Sequence, residues 1–128
     1  MKKNLLRLLE SIYGNSIKIK GSKIISGGCI NETIVLHLSN GERVFLKSNP
    51  SAPKNFFSSE AKGLRLLEQS KNGPSVPRPL GISPESNPQL LLLEYIESSA
   101  PKHGFASRFG QALAEMHRET QEQYGLDY

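Results

Sequence analysis

Leu92-Leu93-Glu94-Tyr95-Ile96 runs from an apolar strand into a polar connector, and two earlier features of the chain belong with it. Val44-Phe45-Leu46-Lys47 is a short apolar run that ends in a lysine. Glu60 follows after about a dozen residues, within a segment whose apolar residues recur at helical spacing. The chain therefore offers, in this order, a strand with a terminal lysine, a helix with a glutamate, and a strand that opens into a connector. Each feature is common alone, so the order and the spacing carry the argument.

This order is typical of the small lobe of kinases. There a strand lysine contacts the α- and β-phosphates, a helix glutamate pairs with that lysine, and the connector offers its backbone to adenine. We therefore predict that Lys47 is a phosphate clamp held by Glu60, with its ammonium within about 4 Å of the carboxylate, as an ion pair requires. The connector at Glu94, Tyr95 and Ile96 is the predicted adenine hinge. The structural alternatives are a lysine that snorkels at a strand end, an exposed helix glutamate and a buried strand that simply ends.

The composition of the 128 residues indicates an ordinary globular chain, because 37% are hydrophobic and 22% are charged. The longest apolar run, Leu90 to Leu93, is far too short to cross a bilayer, and no secretory signal is visible, so we expect no membrane partner. The net charge of +4 comes from scattered basic residues without interleaved aromatic residues, which argues against a nucleic-acid partner. The single cysteine, Cys29, excludes an internal disulfide and fits a reducing compartment.

The hydrophobic periodicity predicts an α+β fold, in which a five-stranded antiparallel sheet carries a packed helix, with an N-terminal and a C-terminal helix in addition. Asn40-Gly41 is a strong hairpin signal, so we expect the first three strands to form a meander. The predicted helices span residues 3–13, 55–70 and 105–124, and the predicted strands span residues 17–26, 30–38, 43–47, 80–83 and 89–95. Leu5, Leu8, Leu9 and Ile12 share one face of the first helix, Phe57, Leu64 and Leu67 are predicted to face inward from the second, and Phe105, Phe109, Leu113, Met116 and Tyr124 form one apolar stripe on the third.

The acidic residues that phosphoryl transfer needs do not occur in a suitable pattern. In-line transfer requires a carboxylate that orients the hydroxyl and ligands that hold Mg²⁺. The only aspartate is Asp127, and the sequence contains neither H-x-D with a following asparagine nor D-F-G. His37 and His103 have no metal-like partners, and His117 is expected to be structural. We therefore expect no catalytic residue and no metal site in this chain, and no phosphoryl transfer by the chain alone.

The domain organisation follows from the linker-like stretch at residues 98–104, whose sequence is Ser-Ser-Ala-Pro-Lys-His-Gly. Residues 1–97 are predicted to form a kinase-like N-lobe, the nucleotide-binding half. Residues 105–128 are predicted to be the first helix of a C-lobe that the chain lacks. Without that lobe, the apolar face of the helix would be exposed, and we expect it to cause self-association.

Gly27-Gly28 punctuates the segment between the first two strands. Glycines at such a point allow backbone amides to approach phosphates closely, although a plain hairpin turn is the structural alternative. Cys29 follows directly, and amides gathered around a phosphate would also lower the pKa of a thiol. Cys29 is therefore a redox candidate whose oxidation would link two chains, unless it is only a small turn residue.

Several motifs along the chain occur together in one known family. They are Gly27-Gly28-Cys29-Ile30-Asn31, Val44-Phe45-Leu46-Lys47, Glu60-Ala61 with Gly63-Leu64, Val76-Pro77-Arg78-Pro79-Leu80, Leu93-Glu94-Tyr95-Ile96, Ala112-Leu113 with Met116-His117-Arg118, and Tyr124-Gly125-Leu126-Asp127. In this combination the chain resembles the N-terminal part of the fructosamine kinase (ketosamine-3-kinase) family. The wider group of aminoglycoside phosphotransferases and choline kinases shares only the lysine, the glutamate and the hinge.

The resemblance implies a protein-kinase-like fold and a cytoplasmic enzyme that uses ATP and Mg²⁺. Such an enzyme phosphorylates the sugar 3-hydroxyl of ketoamines on glycated amines or proteins, and the product then decomposes and frees the amine. The Mg²⁺ ligands are expected in the second lobe. The resemblance also implies that the phosphates lie near Gly27, Gly28, Cys29 and Asn31, that the ion pair is Lys47 with Glu60, and that adenine lies at Glu94, Tyr95 and Ile96.

Two alternatives stay open at this point. Within the enzymes, the chain could be the corresponding lobe of a small-molecule kinase of the aminoglycoside or choline type. Outside the enzymes, it could be a stand-alone interaction module without catalytic activity. The sequence that follows Tyr128 in the gene would distinguish the module from the enzymes.

Overall fold

The computed structural model describes residues 2–25, 30–83 and 87–128, in which three helices and five strands form. The helices are α1 (Lys2–Tyr13), α2 (Phe56–Glu68) and α3 (Phe105–His117). The strands are β1 (Ile19–Ile24), β2 (Glu32–Leu38), β3 (Arg43–Asn49), β4 (Pro79–Ser83) and β5 (Gln89–Glu94). The interpretations of Gly27, Gly28 and Cys29 lie outside the described residues.

The five strands form one antiparallel sheet in the order β1-β2-β3-β5-β4, which confirms the predicted five-stranded sheet and its opening meander. The β2–β3 turn forms at the predicted position, where Gly41 has a φ of 88° and the Asn40 side chain accepts a hydrogen bond from the Glu42 amide at 3.0 Å. Because β5 is placed between β3 and β4, strand β3 lies in the middle of the sheet. The lysine-bearing strand is therefore central.

One face of the sheet packs against α1. Successive side chains of a strand point to opposite faces, and Val44, Leu46, Leu90 and Leu92 of the two central strands point toward this helix. They meet the predicted apolar stripe of α1, in which Leu9 is fully buried. Gly81 allows the helix to come this close, since a Cβ there would lie 2.8 Å from a methyl of Ile12 and 2.9 Å from one of Leu8.

The other face of the sheet packs against α2. Phe57 and Ala61 of the helix are completely buried against Leu91 and Leu93 of β5, with Phe45 of β3 at the edge of the cluster. Lys47 is two residues beyond Phe45 on the same strand, so the alternation directs its side chain to the α2 face. The fold thus places the predicted clamp and the helix that carries Glu60 on one side of the sheet.

Two predicted helix features are wrong. Leu67 was expected to face inward, yet 43% of its surface is exposed. Leu67 lies in the last turn of α2, about 80° around the helix from the completely buried Phe57. Helix α3 ends at His117 rather than extending to Tyr124, which is fully exposed. Between Met116 and Tyr124 the chain has no apolar residue that could hold a further helical turn on a core.

None of the helices in the described part of the chain is both long enough and apolar enough to span a bilayer.

Candidate functional site

The Lys47 ammonium lies 2.6 Å from the Glu60 carboxylate, which confirms the predicted ion pair. The pair joins the middle strand of the sheet to the second turn of α2. Burial of Phe57 and Ala61 fixes the rotation of the helix, and Glu60 consequently lies at the edge of the buried stripe, above Lys47. The two side chains keep 19% and 28% of their surface exposed, so the pair is sheltered but open to a ligand from one side.

The surroundings make the Lys47 ammonium a suitable anion site. The ring centroid of Phe57 lies 6.0 Å from its nitrogen, and Leu91 is its cross-strand neighbour on β5. Apolar neighbours lower the local dielectric, and this strengthens the attraction between opposite charges. An ammonium has three N–H donors and Glu60 accepts from one. The nitrogen therefore has capacity for phosphate oxygens while the carboxylate fixes its position.

A pocket of about 350 Å³ opens on the same face of the sheet. Its lining is mostly apolar and comes from both central strands and from the connector after β5. The lining residues are Ile25, Phe45, Pro77, Leu93, Glu94, Tyr95, Ile96 and Ser98. All three predicted hinge residues are among them. The volume is within the range of small-molecule sites, and the apolar walls suit a flat aromatic ring.

The hinge begins where the sheet hydrogen bonding stops. The backbone N–H of Glu94 donates to the Arg78 carbonyl at 2.9 Å, and the Arg78 N–H donates to the Glu94 carboxylate at 3.4 Å. Beyond Glu94 the connector has no regular secondary structure up to α3. No acceptor within residues 2–25, 30–83 or 87–128 takes the backbone N–H of Ile96. Within the described part of the chain, that amide is therefore a donor that a ligand in the pocket could use.

Arg43 fixes the connector from the side of β3. Its guanidinium donates two hydrogen bonds to the Glu97 carboxylate, at 2.9 and 3.2 Å, and lies 4.8 Å from the centroid of the Tyr95 ring. The hydrogen bonds raise the pKa of Arg43 and hold the pKa of Glu97 below its ordinary value. Sequence reasoning missed this contact. Arg43 and Glu97 are 54 residues apart, and only the adjacency of β3 and β5 brings them together.

A second polar cluster, also missed from the sequence, lies at the other end of β3. Asn49 donates to the Asn31 side chain at 2.9 Å and accepts from the Ser51 backbone at 2.8 Å. Gln89 opposes Asn49 across the two strands and donates to the carbonyls of Ala52 and Pro53, both at 2.9 Å. Asn31, a predicted phosphate-loop residue, is thereby held beside the strand that carries Lys47.

The family model described as fructosamine kinase matches residues 1–128. The chain belongs to the fructosamine kinase family. A Synechocystis sp. protein assigned as a ketoamine kinase is 30% identical over 110 residues, which cover 86% of this chain and 37% of that protein. A chloroplastic protein-ribulosamine 3-kinase of Oryza sativa subsp. japonica is 30% identical over 116 residues, which cover 90% of this chain and 33% of that protein.

The fold agrees with solved structures of the family. A crystal structure of a Haemophilus somnus 129PT protein assigned as a fructosamine-3-kinase matches with a TM-score of 0.85 and 29% identity, over 100% of this chain and 43% of that one. The sheet with α1 and α2 is therefore the kinase-like N-lobe of this family. The match covers roughly a third of the length of each of these two kinase relatives.

Metal ligands were not predicted in this chain. Among the described residues, no three side chains of His, Cys, Asp or Glu form a group that could hold a metal ion. Two described acidic residues near the site make ion pairs, Glu60 with Lys47 and Glu97 with Arg43, and the Glu94 carboxylate accepts from the Arg78 amide at 3.4 Å. The carboxylates of Glu60 and Glu97 therefore each hold a basic side chain rather than offering free oxygens to a Mg²⁺ ion.

Proposed function

We propose that this chain is the ATP-binding lobe of an enzyme that phosphorylates the sugar 3-hydroxyl of ketoamines on glycated amines or proteins, a deglycation activity. One observation carries the nucleotide-binding part of the proposal: the Lys47–Glu60 ion pair and the hinge-lined pocket share one face of the sheet. The acceptor class rests on the family, whose relatives are named as ketoamine and ribulosamine kinases. A cytoplasmic location, which the family resemblance implies, is part of the same proposal.

In this proposal adenine occupies the 350 Å³ pocket, between Ile25 and Phe45 on one side and the connector on the other. The backbone of Glu94 and Ile96 hydrogen-bonds the edge of the base. Phe45 and Lys47 are alternate residues of one strand, so their Cα atoms lie about 7 Å apart. A nucleotide with its base at Phe45 would therefore direct its phosphates toward the ammonium, which Glu60 keeps in place.

The proposal further assigns the segment of Gly27, Gly28, Cys29 and Asn31 to the phosphates. Of these, Asn31 has support from its contact with Asn49 beside the end of β3. It assigns residues 1–97 to the nucleotide-binding lobe, 98–104 to a linker and 105–128 to the start of the second lobe. It also assigns the catalytic aspartate and the Mg²⁺ ligands to the part of the relatives that this chain does not span.

Titration of the purified chain with a fluorescent ATP analogue tests the nucleotide site. Lys47→Met removes a charge-assisted contact to phosphate and should weaken binding about tenfold or more. Lys20→Met, an exposed lysine of β1, is the charge-matched control and should bind like the wild type. Equal affinity of the Lys47→Met variant, or no saturable binding by the wild type, would contradict the proposal.

The acceptor class requires a separate test. The full product of the gene that encodes residues 1–128 should be assayed with ATP and, in turn, a fructosamine, an aminoglycoside and choline as acceptors of the γ-phosphate. We expect phosphorylation of the fructosamine only. A preference for the aminoglycoside or for choline would contradict the proposed acceptor class. It would not contradict the proposed nucleotide site.

A further inference from the structure

Arg43, Phe45 and Lys47 occupy alternate positions of one strand and therefore share a face of the sheet. Phe45 lines the pocket, and Lys47 makes the ion pair at one side of it. Arg43 lies at the opposite side and contacts the connector. The strand thus presents three side chains in a row, at intervals of about 7 Å, to the hinge, the base and the phosphates.

The contacts of Arg43 bracket a single connector residue. Its guanidinium lies over the ring of Tyr95 and donates two hydrogen bonds to the carboxylate of Glu97. Tyr95 and Glu97 are the residues directly before and after Ile96. A bidentate guanidinium–carboxylate pair fixes direction as well as distance, and a ring under the guanidinium restricts it further. Because the connector lacks regular secondary structure, these side-chain contacts are what orient its backbone.

The exposure of the pair argues that its role is local. The Arg43 side chain is 37% exposed and that of Glu97 is 66% exposed, and ion pairs at such positions contribute little to global stability. Tyr95 and Ile96 line the pocket directly, so a shift of the connector changes the shape of the pocket even when the rest of the fold is unaffected.

We propose that Arg43 is a positioning residue for the adenine site: by holding Tyr95 and Glu97 it aims the Ile96 backbone and the Tyr95 ring into the pocket. This rests on the proposed function, and it concerns recognition of the base rather than of the phosphates. Loss of the Arg43–Glu97 contact should therefore weaken binding of the nucleoside part and leave binding of the phosphate part unchanged.

The test measures competition by adenosine and by inorganic tripolyphosphate against a fluorescent ATP analogue on the full chain. Arg43→Gln and Glu97→Gln should each weaken adenosine about fivefold, the size of one well-placed hydrogen bond, although they change the net charge in opposite directions. Tripolyphosphate should compete as it does in the wild type. Arg43→Lys keeps the charge but cannot make the bidentate hydrogen bond, so its adenosine affinity should be close to that of Arg43→Gln.

Two further variants separate positioning from charge and from folding. The exchange of the two residues, Arg43→Glu with Glu97→Arg, should recover most of the lost adenosine affinity. Arg118→Gln, which removes an arginine paired at 3.8 Å with Glu115 on α3, should change neither competitor. The thermal unfolding midpoint should stay close to that of the wild type in every variant.

Each outcome is decisive. Unchanged adenosine affinity in Arg43→Gln, or an equal loss for adenosine and tripolyphosphate, would overturn the positioning role while the nucleotide site stands. A wild-type chain that binds neither the analogue nor adenosine would remove the proposed function and this inference with it.

Discussion

At the scale of single residues, the Lys47–Glu60 pair is expected to affect both the stability of the fold and the proposed nucleotide binding. Both side chains are more than two-thirds buried, and their charged atoms are 2.6 Å apart. A pair so placed is less screened by water and salt than an exposed one. Its removal should therefore cost the fold itself a measurable amount, in addition to its effect on a bound phosphate.

A double-mutant cycle measures that cost. We expect Lys47→Met and Glu60→Gln each to lower the free energy of unfolding, and the coupling energy between them to be about 1 kcal/mol. Chemical denaturation of the wild type, the two single variants and the double variant supplies the four values. Lys20→Met in place of Lys47→Met is the control cycle and should give no coupling. A coupling energy of zero in the first cycle would show that the contact contributes nothing to the fold.

A second prediction at this scale concerns Tyr13 and the dependence of stability on pH. Burial raises its pKa to about 12, and the hydrogen bond and charge of Glu42 add to the shift. A phenol with a folded pKa above its unfolded value of 10 contributes stability that is complete below pH 10 and is lost as the pH rises toward 12. The unfolding midpoint of the wild type should therefore fall more steeply over this window than that of Tyr13→Phe, which has no proton to lose. Parallel curves for the two proteins would contradict the prediction.

The residues that could be predicted from the sequence are those whose partners follow closely in the chain. Lys47 and Glu60 are 13 residues apart, and a strand followed directly by a helix brings them onto one face without knowledge of the strand order. Arg43 with Glu97 could not be predicted, because their contact requires β5 to lie next to β3. The backbone roles proposed for Glu94 and Ile96 do not depend on their side chains, so only the position of these residues in the pattern indicates them.

At the scale of elements, the loop between β3 and α2 contributes to the placement of the helix that carries Glu60. Gln89 is 8% exposed and holds this loop through the carbonyls of Ala52 and Pro53. The Pro53 carbonyl also accepts from the amide of Phe56, the first residue of α2. The strand β5 therefore anchors the start of the helix, and through the helix the carboxylate that pairs with Lys47.

Gln89→Glu is the sharpest change at this anchor, because it keeps the shape and replaces the donor by acceptors that face two carbonyls. We expect the free energy of unfolding to fall by about 2 kcal/mol at neutral pH. Amides in the first turns of α2 should exchange hydrogen faster than in the wild type. Gln111→Glu, an exposed position of α3, is the control and should have little effect. Wild-type stability and exchange in Gln89→Glu would show that the loop is held by other contacts.

The helices also show why the element boundaries are harder to predict than the elements. The spacing on α2 permits an inward-facing Leu67, yet the α2 side chains that pack in the cluster with the sheet are Phe56, Phe57, Ala61 and Leu64, and Leu67 is 43% exposed. The prediction extends α3 to Tyr124 because this single aromatic residue lies eight residues after Met116, a helical spacing. The structure ends it at His117, since the intervening polar residues have nothing to pack on.

At the scale of the whole molecule, α3 has two large apolar side chains that are exposed in its first two turns. Phe105 and Phe109 are 50% and 46% exposed, and their rings stack on each other with centroids 5.9 Å apart. Self-association of the 128-residue chain through this face stays a prediction. Light scattering should show a mass above that of the monomer at high concentration, and Phe105→Ser with Phe109→Ser should restore the monomer mass. A monomeric wild type under the same conditions would count against it.

The last prediction concerns what the chain does with a bound nucleotide. Phosphoryl transfer needs a carboxylate at the acceptor hydroxyl and ligands for Mg²⁺. The only aspartate is Asp127, and the described residues bring no three metal-ligating side chains together. We therefore expect the purified 128-residue chain to bind ATP without transferring its γ-phosphate to a fructosamine, as followed by phosphorus NMR. The rice protein-ribulosamine 3-kinase serves as the reference enzyme in the same assay. Ketoamine phosphorylation that Lys47→Met abolishes would show that the 128 residues hold a complete active site, and the assignment of the catalytic groups to the remaining two-thirds of the family fold would then be wrong.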